Sequence, residues 1–120
     1  MLRCGIDLIE NTRIEEGIER FGERFLNRFF TVGEREDCEG QPHRLAARLA
    51  AKEAAAKALG TGIGDISWLE IEIRCNNDRN RPTLYLYGAA RALAQEMGLT
   101  QWDVSLTHTD DYSSAVVVMM

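Results

Sequence analysis

Lysine is nearly missing from this chain. Only Lys52 and Lys57 occur, against twelve arginines, in 120 residues with a formal net charge of −5. That acidic balance argues against nucleic-acid binding, which wants a basic footprint. Cysteine is scarce as well. Cys4, Cys38 and Cys75 are odd in number, widely spaced and free of any C-x-x-C pair, which excludes a disulfide framework or a zinc site of familiar spacing. Reduced thiols in a cytoplasmic protein are the expectation. No apolar run approaches the roughly 20 residues of a membrane span, so no membrane association is expected. Asp7 interrupts the opening too early for a signal peptide. With no repeat, low-complexity tract or linker, residues 1–120 read as a single domain.

What is present is concentrated in Arg44-Leu-Ala-Ala-Arg48-Leu-Ala-Ala-Lys52-Glu53-Ala-Ala-Ala-Lys57-Ala-Leu-Gly60. Strong helix formers run unbroken to Gly60, and the spacing predicts a helix over 43–59. Glu53 falls on the face of Leu45 and Leu49, with Lys57 one turn beyond. A carboxylate that continues an apolar stripe is costly unless a cation partners it. Two cations qualify, Lys57 or a metal ion. Taken alone, the Glu53–Lys57 spacing is also that of a surface salt bridge worth roughly 0.3–0.5 kcal/mol. Arg44 and Arg48, again four apart, suit a forked grip on phosphate, or plain solvation. The segment 41–60 has a local balance of +3, which fits an anionic small molecule better than a polyanion. Gly60, Gly62 and Gly64 permit close approach of a ligand to the backbone but match neither the P-loop nor the dinucleotide fingerprint.

Asp7 is a lone acid inside the apolar stretch Cys4–Ile9, a poor choice for a buried strand. It either caps a solvated turn or holds Mg²⁺, which takes one or two carboxylates with waters and substrate phosphates. His108 stands where a strand enters a hairpin turn, with no nucleophile motif beside it, and His43 reads as incidental. If residues 12–28 stay helical, Arg13, Arg20, Arg24 and Arg28 share an arc of about 80°, opposite Glu15, Glu16, Glu19 and Glu23. Such a stripe suits an acidic partner helix, or is an ordinary charged surface. A break at Gly22 would scatter it.

Further elements follow from alternation and turn residues: strands at 4–9, 67–75, 83–87, 102–107 and 114–119, a short helix after Thr31, a polar turn at 76–82 and a helix over 89–97. The order β-ααα-ββ-α-ββ points to an α+β fold with a mainly antiparallel sheet packed with the long helix.

Taken in order, Gly5-Ile-Asp7 with Arg13-Ile14, then Arg48-Leu-Ala-Ala-Lys52-Glu53-Ala-Ala-Ala-Lys57-Ala, Gly60-Thr-Gly62-Ile-Gly64, Trp68-Leu-Glu-Ile-Glu-Ile and Ser105-Leu-Thr-His108-Thr with Tyr112 and Ala115 resemble the holo-acyl-carrier-protein synthase family of 4′-phosphopantetheinyl transferases. The resemblance covers essentially the whole chain. It implies a Mg²⁺-dependent transfer of the phosphopantetheine arm from coenzyme A to a serine of an apo-acyl carrier protein. By position it implies that Asp7 and Glu53 hold the metal and that Lys57 neutralises the diphosphate or the developing charge. Arg48 and His108 would reach the phosphates of the nucleotide end, and Arg13 with its basic neighbours would meet the carrier's acidic helix. It also implies a homotrimer with active sites between subunits. Either Glu53 or a water would take the serine proton. Leu49 stands where the family often has an aromatic, with consequences for packing of the pantetheine arm, and Asn80 replaces a glycine common before the basic-Pro pair Arg81-Pro82. Two other readings compete: a coenzyme A or nucleotide-phosphate binding module without catalysis, and a purely structural trimer-forming protein.

Overall fold

A computed structural model of the chain describes residues 1–75 and 77–120. Strand β1 (Arg3–Glu10) leads into four helices, α1 (Asn11–Phe21), α2 (Glu23–Phe29), α3 (Val32–Cys38) and α4 (Pro42–Leu59). A 3₁₀ turn at Trp68–Glu70 precedes the hairpin β2 (Ile71–Arg74) and β3 (Thr83–Leu86). Helix α5 (Gly88–Glu96) and the hairpin β4 (Trp102–His108) and β5 (Tyr112–Met119) complete the chain. Among the described residues all strand pairs are antiparallel, in a sheet of order β1-β5-β4 and a separate β2-β3 ribbon. The fold class is the α+β, antiparallel arrangement expected.

The long helix is the hub, and its alanines do more than favour helix. Most of α4 from Leu45 to Leu59 is buried, on nearly every side. Methyl side chains let neighbouring backbones come close. The closest approach is at Gly5 of β1, where a Cβ would stand 1.9 Å from the Ala54 carbonyl oxygen. Residues two apart in a strand share a face, so Asp7 is carried onto α4 beside Gly5 and the buried Ile9. Pro42 occupies the helix's first turn and Gly60, at φ 82°, closes its end, as proline and glycine do at those positions.

Three expectations are corrected. The condition that residues 12–28 stay helical is not met, and the chain breaks at Gly22, the weak point named for it. Gly22 takes φ 54°, ψ −126°, its N–H donating to Ile18 O at 2.8 Å to close α1 while its own carbonyl accepts from Phe25 and Leu26 to start α2. The single-helix arc that gathered Arg13, Arg20, Arg24 and Arg28 therefore does not form, although all four side chains are exposed. The strand expected at 67–75 is shortened to 71–74, because Ser67 and Glu70 form a capping box that turns Trp68–Glu70 into 3₁₀ helix. Leu49 is fully buried in the core, so in this chain it is core packing rather than a wall for a substrate arm. The expected turn at 76–82 begins on Asn76, outside the described residues. Within it Asn80 adopts φ 53°, a conformation asparagine tolerates where glycine is otherwise used.

Among the described residues, the opposite face of the β1-β5-β4 sheet carries no helix. Ile6 and Leu8 of β1 are 65% and 63% exposed, and Val116 and Val118 of β5 are exposed beside them, Ile6 pairing with Val116.

Candidate active site

Asp7 and Glu53 meet. Asp7 reaches the site from β1 with its side chain 13% exposed, and Glu53 from the middle of α4 at 24%. Burial first, and the facing Asp7 carboxyl second, raise the Glu53 carboxyl to about 7, against weaker opposing pulls from Arg13 and Lys57. Two carboxylates forced together in a partly desolvated place resist carrying two charges. Lys57 relieves one of them: its ammonium donates to Asp7 Oδ1 at 3.1 Å and to the Ile6 carbonyl at 3.0 Å. So the lysine four residues from Glu53 bonds the strand acid. The nearest cation to Glu53 is Arg13 of α1, a loose pair at 3.9 Å.

Asp7 Oδ2 remains buried without a hydrogen-bond partner among the described residues. A buried carboxylate oxygen with no donor, on an acid that neighbours a second carboxyl, is the electrostatic outline of a divalent-cation site. Among the described residues no three histidine, cysteine or acidic side chains cluster, so the donor set is oxygen-only and two-membered. That suits Mg²⁺, which keeps several waters and substrate oxygens, and not a closed zinc cage. Glu53 and Lys57 open into a cavity of about 280 Å³ walled by Ala56, Gly62, Ile63 and Trp68, which brings the glycine loop to the site.

Arg48 and His108 stand elsewhere in the same chain. Arg48 is only 6% exposed. Its Nη1 makes one long bond, 3.4 Å, to the Arg44 carbonyl, and its Nε has no partner among the described residues. It lines a cavity of about 560 Å³ with Arg44, Cys75, Arg81 and Pro82, opening toward Val116 and Val118 on the bare sheet face. Arg48 thus brings one unpaired buried Nε to a cavity lined by three arginines and by Asp37 and Asp103. His108 lines a third cavity, of about 210 Å³, with Asn11, Glu15 and His43, its ring centroid 4.8 Å from that of His43. The structure thus gathers Asp7, Glu53, Lys57 and Arg13 at one place and sets Arg48 and His108 apart from them.

The family model for the 4′-phosphopantetheinyl transferase superfamily matches residues 3–117. The chain belongs to that superfamily. Within it, the holo-acyl-carrier-protein synthase of Herpetosiphon aurantiacus is 46% identical over 127 residues, covering 100% of this chain and 99% of that protein. The Helicobacter pylori holo-acyl-carrier-protein synthase, solved in complex with coenzyme A, superposes with a TM-score of 0.88 at 32% identity, covering 98% and 99% of the two chains. The Bacillus anthracis synthase, solved with CoA (3′,5′-ADP), gives 0.77 at 35% identity over 98% and 94%. The chain is therefore an enzyme of the holo-acyl-carrier-protein synthase family, and a phosphopantetheinyl transfer from coenzyme A to acyl carrier protein is its activity.

Two features of this synthase escaped the sequence. Lys52 is wholly buried and paired to Glu34 at 2.6 Å, and its place three residues after Leu49 and seven after Leu45, on their stripe, was the signal that could have found it. Burial drives Glu34 upward and Lys52 downward, each partly offset by the other's charge. His43, taken as incidental, packs on His108. Their partners are 18 and more residues away in sequence, so only tertiary structure reveals them.

Proposed function

We propose that this synthase carries out its transfer as a Mg²⁺-dependent reaction, with Asp7 and Glu53 as the metal's protein ligands. In it the carrier's serine oxygen bonds to the phosphorus that bears the pantetheine. The bridging P–O bond breaks, and adenosine 3′,5′-bisphosphate leaves with that bond's electron pair. When bound, Mg²⁺ supplies charge neutralisation and a template for the diphosphate, the main needs of phosphoryl transfer. The observation that carries the reading is the orphaned Asp7 Oδ2 together with a neighbouring Glu53 carboxyl raised to about 7.

The chain's own side chains divide the remaining work. Lys57 is half-exposed, so its ammonium can leave Asp7 for a diphosphate oxygen as that charge grows. The serine proton passes to Glu53 or to a water. Arg13, loosely paired with Glu53, and the exposed Arg20, Arg24 and Arg28 present positive charge for an acidic carrier helix despite the bend at Gly22. Arg48 and His108, in cavities apart from Asp7, would complete a site from a neighbouring copy. The bare face of Ile6, Leu8, Val116 and Val118 supports that assembly, a homotrimer with each site shared between two chains.

Mass spectrometry of an apo carrier protein incubated with the chain, coenzyme A and Mg²⁺ tests this. The reading predicts a gain of one phosphopantetheine unit, abolished by EDTA and restored by Mg²⁺. Coenzyme A binding with no mass gain on any of several carriers would favour the binding module instead.

A further inference from the structure

We propose that Lys52 is a positioning residue for the Glu53–Lys57 site, acting through the Trp68 wall that faces it. This rests on the functional reading above.

Lys52 has three N–H donors and three acceptors: Glu34 Oε1 at 2.6 Å, the Phe29 carbonyl at 2.7 Å and the Trp68 carbonyl at 3.0 Å. An ammonium with no acceptor capacity is thereby fully used. Glu34 is equally committed. Its Oε1 accepts from the Thr31 N–H at 2.9 Å and its Oε2 from the Ile73 N–H at 2.9 Å. One ion pair thus ties the end of α2, the cap of α3, the middle of α4, the 3₁₀ turn and β2 at a single point.

The position of that knot gives it a bearing on function. Lys52 immediately precedes Glu53 on α4. The residue whose carbonyl it grips, Trp68, sits across the 280 Å³ cavity into which Glu53 and Lys57 open. The Trp68 ring also makes an edge contact with Phe29, 5.2 Å between centroids. Phe29 is itself gripped by Lys52 through its carbonyl. The gap between the acid-bearing helix and its opposing wall is therefore set by one side chain. An apolar pair of similar volume is often as stable as a buried ion pair, so stability alone does not call for an ionic one. What an apolar pair lacks is direction: it would leave two carbonyls without a donor and free the turn to shift. Misplacement by about 1 Å can cost about 10²-fold in rate.

The test is a double-mutant cycle. Lys52→Met alone leaves the Glu34 carboxylate buried and unpaired, so the informative variant is Glu34→Gln/Lys52→Met, combined with Trp68→Ala. Transfer kinetics are measured at a temperature where far-UV circular dichroism shows each protein folded, and Mn²⁺ binding is followed by electron paramagnetic resonance. The proposal predicts that the Glu34→Gln/Lys52→Met protein loses about 10- to 100-fold in kcat. Its KM for coenzyme A and its Mn²⁺ affinity should stay within about threefold, a difference of less than about 1 kcal/mol. Adding Trp68→Ala should lower kcat little further, because both changes act through one wall. Unchanged kcat per folded molecule, or losses that multiply, would overturn it. So would failure of both Lys52 variants to fold, which would make the pair a stability element only. A wild-type chain that transfers nothing sinks the functional reading and this inference together. An active wild type with an unimpaired variant sinks this inference alone.

Discussion

Asp7 and Glu53 illustrate how a residue's type can announce a site before its geometry is known. Aspartate inside an apolar strand, and glutamate in line with Leu45 and Leu49, were each locally expensive, and the structure brings the two expenses to one place. What the spacing did not reveal is which cation serves which acid: Lys57 bonds Asp7 across the β1–α4 contact, and Glu53 is left with a distant arginine. The raised Glu53 carboxyl has a thermodynamic consequence. A group whose pKa is higher folded than unfolded contributes stability at low pH and loses it as pH rises through the folded value. For Glu53 that window runs from its ordinary 4.5 to about 7. Melting temperatures across that range should therefore fall more for the metal-free wild type than for Glu53→Gln, and Mg²⁺ should restore the wild type at neutral pH; parallel curves would contradict it. Asp7→Ala and Glu53→Ala should each lower transfer by about 10²-fold or more, the loss of several kcal/mol of charge stabilisation. An assay retaining wild-type rates in either variant would remove the metal from the account.

Elements met by local chemistry were legible, and those made by tertiary contact were not. Strand β1, the long helix and the closing hairpin follow from alternation, alanine-rich propensity and polar turns, and they appear within a residue or two of expectation, whereas the first hairpin's opening strand starts four residues late. The arginine arc over 12–28 depended on a continuous helix, and Gly22, with φ 54°, makes the break that the sequence permitted without requiring. The buried Lys52–Glu34 pair fails for a different reason. Lys52 reads as helix surface by type, although its position continues the Leu45 and Leu49 stripe, and α3 and the Trp68 turn supply the partners that let a lysine sit there. Arg48 is similar, its burial being created by the β4–β5 sheet beside α4. The β1–α4 contact yields its own test. Gly5→Ala places a methyl 1.9 Å from the Ala54 carbonyl, so β1 must lift from α4. Overpacking of this kind costs about 1–3 kcal/mol or more. Because Asp7 rides on the same strand, the variant should lose both melting temperature and Mn²⁺ affinity. A stable variant with intact affinity would mean that β1 is not what positions Asp7.

At the scale of the whole molecule, a single chain holds its charged parts in separate cavities and leaves an apolar sheet face bare. An assembly that covers Ile6, Leu8, Val116 and Val118 resolves both features. Sedimentation analysis should give a trimer for the wild type and a monomer for Ile6→Glu/Val116→Glu, with transfer lost in the monomer although Asp7 and Glu53 are untouched. An active monomer would refute shared sites. Charge reversal on the opposite side, Arg24→Glu, should raise KM for the carrier about tenfold, about 1.4 kcal/mol of binding, and leave KM for coenzyme A unchanged. Equal effects on both substrates would move Arg24 from the carrier surface to the nucleotide. The most direct measurement is anomalous diffraction from crystals of the protein grown with coenzyme A and Mn²⁺. One manganese peak per chain, bonded to both Asp7 Oδ2 and a Glu53 carboxylate oxygen beside the diphosphate, is the predicted result. A peak held by other residues, or a diphosphate bound with no metal between those two acids, would contradict it.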